Sequence, residues 1–120
     1  MWSIIKTDEF SEWYSHLDPD AKEDIYEKAL ILKELGPTLG RPFVDTVNGS
    51  RHSNMKELRV QSKGRPFRIF FAFDPKRKAV FLIGDNKQGK KRFYEIMIPI
   101  ADNLWDRYLE DMKSYEKKIF

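Results

Sequence analysis

Three alternating segments constrain this chain more than anything else in it: Met55 to Ser62, Pro66 to Asp74 and Ala79 to Asp85. Lys63-Gly64-Arg65 and Pro75-Lys76-Arg77-Lys78 are hairpin-length connections, so the three must pair as an antiparallel sheet. In the middle segment Phe67, Ile69, Phe71 and Phe73 share one face, while Arg68, Phe70 and Ala72 point the other way. Four large apolar groups on one face need a helical layer to cover them.

Two N-terminal helices are available for that layer. Trp2 to Lys6 reads as a first strand. Thr7 can cap a helix whose first turn holds Asp8 and Glu9, favourable beside the positive end of the helix dipole. Asp18-Pro19-Asp20 starts a second helix, with a capping Asp and Pro at the first helical position. It runs to about Leu35, puts Ile25, Ala29 and Leu32 on one face, and stops at Gly36-Pro37. Phe43 to Val47 predicts a short strand and Asn48-Gly49-Ser50 a turn.

At the other end Phe93, Met97, Ile100, Leu104, Tyr108 and Met112 recur at helical intervals. Pro99 should kink or divide that helix, and Lys117 and Lys118 suit its C-terminal end. No repeat or linker divides the chain, so residues 1–120 are expected to form one domain.

Composition narrows the chemistry. The absence of cysteine excludes disulfides, thiolate zinc sites and a cysteine nucleophile. The first residues carry no charged region followed by an apolar run, and no apolar stretch reaches membrane-spanning length, so a soluble cytoplasmic protein is expected. Arg51 to Arg92 hold 13 Lys/Arg against 3 Asp/Glu, whereas the remainder holds 9 against 16. A basic middle between acidic flanks suggests a polyanionic partner. Uneven patterning of an ordinary surface is the plain alternative.

Arg59 and Arg68 fall on the face that helices need not cover, where they could hold phosphates or the charge that develops on one during cleavage. They could equally form ion pairs, Arg59 with Glu57 or Asp74. From Gly84 to Tyr94 the chain is rich in Lys and Gly, follows a strand and enters a helix, which suits an anion site. Its Gly-Lys lacks the Ser or Thr and the glycine spacing of a P-loop. Phe93 is expected in the core, and Tyr94 could stack on a base. Of the two histidines, His16 reads as a surface residue and His52 as a possible acid or base. No histidine–carboxylate cluster has metal-ligand spacing, so no metal or other cofactor is expected.

Lys56-Glu57-Leu58-Arg59, Arg68 within Pro66 to Pro75, Lys87-x-Gly89-x-Lys91-Arg92-Phe93-Tyr94-Glu95 and Ile98-Pro99-Ile100-Ala101-Asp102 together resemble the RelE/ParE toxin superfamily, in its phage-derived, HigB-like branch. The likeness extends from the N-terminal helices to about Leu109, and departs where the family often has two glycines and this chain has Gly84-Asp85. It implies an α+β, RelE-like microbial RNase-type fold, with N-terminal helices on a curved antiparallel sheet and a C-terminal helix. It also implies the toxin of a type II toxin–antitoxin module, a ribosome-dependent, metal-independent mRNA endoribonuclease. Arg59, Arg68 and either Tyr94 or His52 would be catalytic; Lys56, Arg65, Lys87, Lys90, Lys91 and Arg92 would bind substrate. The implied partners are an antitoxin with a helix-turn-helix, operator DNA only through that antitoxin, and mRNA on the ribosome, with no membrane. ParE-like inhibition of DNA gyrase by binding is the alternative, followed by a non-catalytic RNA-binding module.

Overall fold

The computed structural model describes the backbone of residues 1–119 and the side chains of residues 1–114; the side chains of Lys117 and Lys118 lie outside the described residues. Strand β1 (Ser3–Lys6) leads into helices α1 (Asp8–Ser15) and α2 (Pro19–Leu35), which a single 3-10 turn at Gly36–Thr38 ends. Strands β2 (Val44–Thr46), β3 (Lys56–Ser62), β4 (Arg65–Phe73) and β5 (Lys78–Asn86) follow, then helix α3 (Phe93–Ile119).

The helix starts are chemical. The side chains of Thr7 and Asp18 accept from the backbone N–H groups of Phe10 and Ala21, satisfying donors that the first turn leaves open. Asp18 also receives both arms of Arg65, at 2.7 and 3.0 Å, which holds its carboxyl down at about 2. Lys63 and Gly64 both adopt positive φ, 51° and 75°, as a two-residue hairpin of matching twist requires. At the next hairpin Asp74 accepts from the backbone N–H groups of Lys76 and Lys78 and from the Tyr108 hydroxyl.

The sheet order is β1-β5-β4-β3-β2. The β2–β3, β3–β4 and β4–β5 pairs are antiparallel as expected, while β1 joins β5 in parallel, so the sheet is mixed at that edge. Leu82 has no partner across from Phe70 and Phe71, a bulge that bends β5.

Both faces of the sheet are covered over much of their length. Leu58, Val60, Phe67, Ile69, Phe71 and Phe81 pack under α1 and α2 with Phe10, Ile25 and Leu32. On the opposite face α3 lays Phe93, Met97, Ala101, Leu104 and Trp105 over Phe70, Ala72, Val80 and Leu82. The expectation of a face free of helices is therefore corrected: Phe70 and Ala72 are too apolar to leave in water, and α3 buries them completely. What stays uncovered is the end of that face carrying Arg59, Arg68 and Asp85.

Helix α3 runs through Pro99 without division. The ring lies on its exposed side, and Ile100 is exposed as well, in place of the buried position expected; Trp105 takes that place in the core.

Candidate active site

Strand pairing lines up the candidates. Arg59 faces Arg68 directly across β3 and β4, and Arg68 faces Asp85 directly across β4 and β5. The row lies on the α3 side, because side chains alternate and Leu58, Val60, Phe67 and Ile69 take the other side. Its spacing is about 5 Å per strand. Two guanidiniums directly opposite each other repel, and something must hold them there.

Glu57 does so. This carboxylate is almost completely buried. Its Oε2 accepts from Arg59 Nε at 3.2 Å and its Oε1 accepts from the Tyr94 hydroxyl at 2.8 Å. Arg68 Nε stands 3.9 Å from Oε1, within ion-pair range but too far to bond, and that buried nitrogen has no hydrogen-bond partner. A buried carboxylate without cations would be costly, and two arginines with a phenol compensate it. Arg68 also donates from Nη1 to the Phe67 carbonyl at 3.0 Å, which fixes its plane. Lys87 Nζ lies 5.3 Å from the centre of the Tyr94 ring. Two guanidiniums thus share one buried carboxylate, with Asp45 set back at 3.9 Å from Arg59 and bonded to Arg41. The excess is positive.

Tyr94, on the first turn of α3, is half-buried and packs edge-on against Phe70 and Phe93. Burial pushes its phenol above the ordinary tyrosine value and the Glu57 bond adds to this, while Arg68 works the other way. At neutral pH it keeps its proton. Phe93 beside it is core, as expected.

The other candidates scatter. Lys90 pairs with Asp85 at 2.6 Å and Arg92 with Glu95 at 2.9 Å, both exposed at the margin of the row, and Lys91 is exposed. Lys56 Nζ donates to Thr46 at 3.1 Å on the edge hairpin. Arg65 is placed elsewhere: it alternates with Phe67 and Ile69 on the α2 side of the sheet and is committed to Asp18, so it is separated from Arg59 and Arg68 by the sheet itself. His52 is likewise apart. Its Nε2 lies 2.7 Å from Asp106, while Arg51 pairs with Asp106 and the Ser50 hydroxyl and Arg51 backbone N–H both donate to Asp102. Asp102 and Asp106 sit 8 and 12 residues beyond Tyr94 on α3, or roughly 12–18 Å along its axis. Asp74, the other partner considered for Arg59, closes the distal hairpin.

Glu57 is the residue that sequence reading ranked too low. The signal was there: it shares a strand face with Arg59, two positions away, where the α3-side apolar surface gives way to charge.

A family model described as Phage derived protein Gp49-like matches residues 12–106. The chain is 45% identical over 113 residues to a protein named putative toxin HigB2 of Mycobacterium tuberculosis, a match that takes in 90% of this chain and 56% of that protein. It therefore spans little more than half of that relative's length. Putative toxin HigB3 of the same organism is 44% identical over 108 residues, 89% of this chain and 93% of that one. Among solved structures, a double mutant of Escherichia coli toxin RelE in the free state superposes with a TM-score of 0.58 at 9% identity, over 80% of this chain and 94% of that one. The archaeal RelE–RelB complex from Pyrococcus horikoshii gives 0.55 at 13% identity, over 73% and 97%. At these identities the two structures speak for a RelE-like fold.

Proposed function

Since this chain belongs to the phage-derived Gp49-like family, we propose that it is the toxin of a toxin–antitoxin module and an endoribonuclease that cuts messenger RNA on the ribosome without a metal. The observation that carries the chemistry is the row of Arg59 and Arg68 over buried Glu57 and Tyr94, with more cation than carboxylate. An RNA phosphate satisfies that excess.

The ribose 2′-hydroxyl is the nucleophile. Its proton passes to Glu57 as the 2′-oxygen bonds to phosphorus, and the two arginines stabilise the charge that grows on the equatorial oxygens. The phosphorus–5′-oxygen bond breaks, and the departing oxygen takes the Tyr94 proton. Glu57, bonded to Tyr94 at 2.8 Å, returns its own proton to the phenol, so the pair moves one proton from 2′-oxygen to 5′-oxygen and ends unchanged. Tyr94 holds its proton at neutral pH, so it enters the step as the donor, and its bond to Glu57 keeps the proton's replacement at hand. Orientation by the ribosome would supply what a weak acid–base pair lacks. An antitoxin encoded beside it, with a helix-turn-helix for operator DNA, is its expected partner.

Brief induction in cells tests the reading. Transcript ends should multiply within minutes while chromosomal DNA stays intact, and co-expression of the adjacent gene should restore growth. A DNA-damage response with undiminished RNA would favour gyrase poisoning and overturn it.

A further inference from the structure

Beyond Arg68 the row ends on Asp85, and there the surface changes character. Asp85, Lys90, Arg92, Phe93, Ile96 and Met97 line an open cleft of about 380 Å³, within the size range of small-molecule sites. Its floor is apolar: Phe93 and Met97 are core residues of α3. Its outer wall is Ile96, which is 59% exposed although the helix has a fully apolar side on which to bury isoleucines. Of its charged residues Arg92 pairs with Glu95, while Asp85 and Lys90 pair with each other. Asp85 Oδ2 accepts from Lys90 Nζ at 2.6 Å, and Asp85 Oδ1 accepts from the Asn86 N–H at 2.8 Å.

We propose that this cleft is a nucleobase subsite selective for guanine, with Asp85 and Lys90 reading its Watson–Crick edge. The proposal rests on the assignment of RNA as substrate, and it names the base that the site prefers. A carboxylate beside an ammonium presents two acceptors and then a donor. Guanine presents the complement, with N2–H and N1–H as donors and O6 as acceptor. Adenine and cytosine each put a ring-nitrogen acceptor where the second donor is needed, against the carboxylate, and uracil offers one N–H between two carbonyls. Lys90 is about half exposed, so it can swing from Oδ2 to O6 without disturbing the core. Ile96 supplies most of the apolar surface for the ring, with Phe93 and Met97 closing the floor beneath it. The placement fits a single nucleotide: Asp85 is the cross-strand neighbour of Arg68, so a phosphate on the arginines leaves its base beside the cleft. Strand β1 pairs with β5 only as far as Phe81, which leaves the Asp85 end of β5 as an open edge.

The test uses binding, so that it does not depend on cleavage. Trinucleotides with uracil at both ends and G, A, C, U or hypoxanthine in the middle, 2′-deoxy throughout to prevent cutting, are titrated against the intact protein while the backbone amide shifts of Lys90, Phe93 and Ile96 are followed. Guanine should bind about 10-fold more tightly than adenine, cytosine or uracil. Hypoxanthine, which lacks the 2-amino donor, should fall between, and 7-deazaguanine should match guanine because the other edge is not read. Asp85→Asn should erase the preference by putting a donor against a donor, and Lys90→Ala should reduce it. Equal binding of all bases, or a preference that survives Asp85→Asn, overturns the subsite. If wild-type protein cuts no RNA on ribosomes, the functional assignment falls, and the titration still decides the cleft.

Discussion

Two arginine–carboxylate groups meet α3, roughly 12–18 Å apart along its axis, and they are built to opposite ends. Around Asp102 and Asp106 the acids match the bases: Arg51, His52, Ser50 and a backbone N–H each have a carboxylate oxygen within reach. Around Glu57 they do not match, because Arg59 and Arg68 share one acid and a buried guanidinium nitrogen is left without a partner. The first group is a clasp that ties the β2–β3 loop to α3. The second keeps its charge unspent, at some cost to stability, as a site for an anion must. Residue types alone do not separate them, since each has arginine, carboxylate and an ionisable ring; the ratio and the burial do.

The sharpest way to break this contrast is to remove one charged residue from each group. Arg68→Ala should abolish growth arrest, with a loss of about 100-fold or more in cleavage rate, while the domain stays folded by circular dichroism. Arrest that persists in a folded Arg59→Ala, Arg68→Ala double variant would remove both from the site. In the clasp the effect should fall on stability instead. Asp102→Ala strands the Ser50 hydroxyl and the Arg51 N–H and should cost about 1–3 kcal/mol in denaturant unfolding. His52→Gln should leave cleavage within about 10-fold of wild type, since His52 faces Asp106 and not the arginines. A larger rate loss in a folded His52→Gln would bring the clasp into the active site and erase the distinction.

Much of the fold was legible because its signals are local. Thr7, Asp18-Pro19, Gly36-Pro37 and Lys63-Gly64 each act within a turn of chain, and each does in the structure what its chemistry requires. Gly84 is a different case. A Cβ there would lie 2.5 Å from the Trp13 ring, a tertiary reason for glycine that no local rule supplies. The site was half legible. Strand alternation placed Arg59 and Arg68 together, and the same alternation, followed through Phe67 and Ile69, already puts Arg65 on the other side. It could not say that α3 would cover Phe70 and Ala72, nor that Glu57 would be buried, because both depend on where a distant helix docks.

The charge asymmetry is partly used up inside the molecule. Its acidic flanks fold back onto the basic middle, Asp18 onto Arg65, Asp20 onto Lys63, and Asp102 and Asp106 onto Arg51. Those pairs spend part of the basic middle on the fold itself. One of these pairs gives the smallest effect expected here. Arg65 holds the Asp18 carboxyl at about 2, below the ordinary 3.8, so the pair stabilises the fold above pH 4 and that contribution fades as pH falls toward 2. Asp18→Asn should lower the melting temperature by a few degrees at pH 7, and the difference from wild type should vanish near pH 2. No difference at pH 7 would mean that Asp18 acts through its cap alone, which Asn preserves.

The central claim, that Arg59, Arg68, Glu57 and Tyr94 cleave RNA through its own 2′-hydroxyl, is tested most directly at the ends of the products. Message cut on translating ribosomes, with and without a chelator, should carry a 2′,3′-cyclic phosphate or 3′-phosphate on one fragment and a 5′-hydroxyl on the other, and a 2′-deoxy substitution at the scissile nucleotide should stop the cut. A 5′-phosphate on the downstream fragment, or cutting that survives the 2′-deoxy substitution, would contradict it.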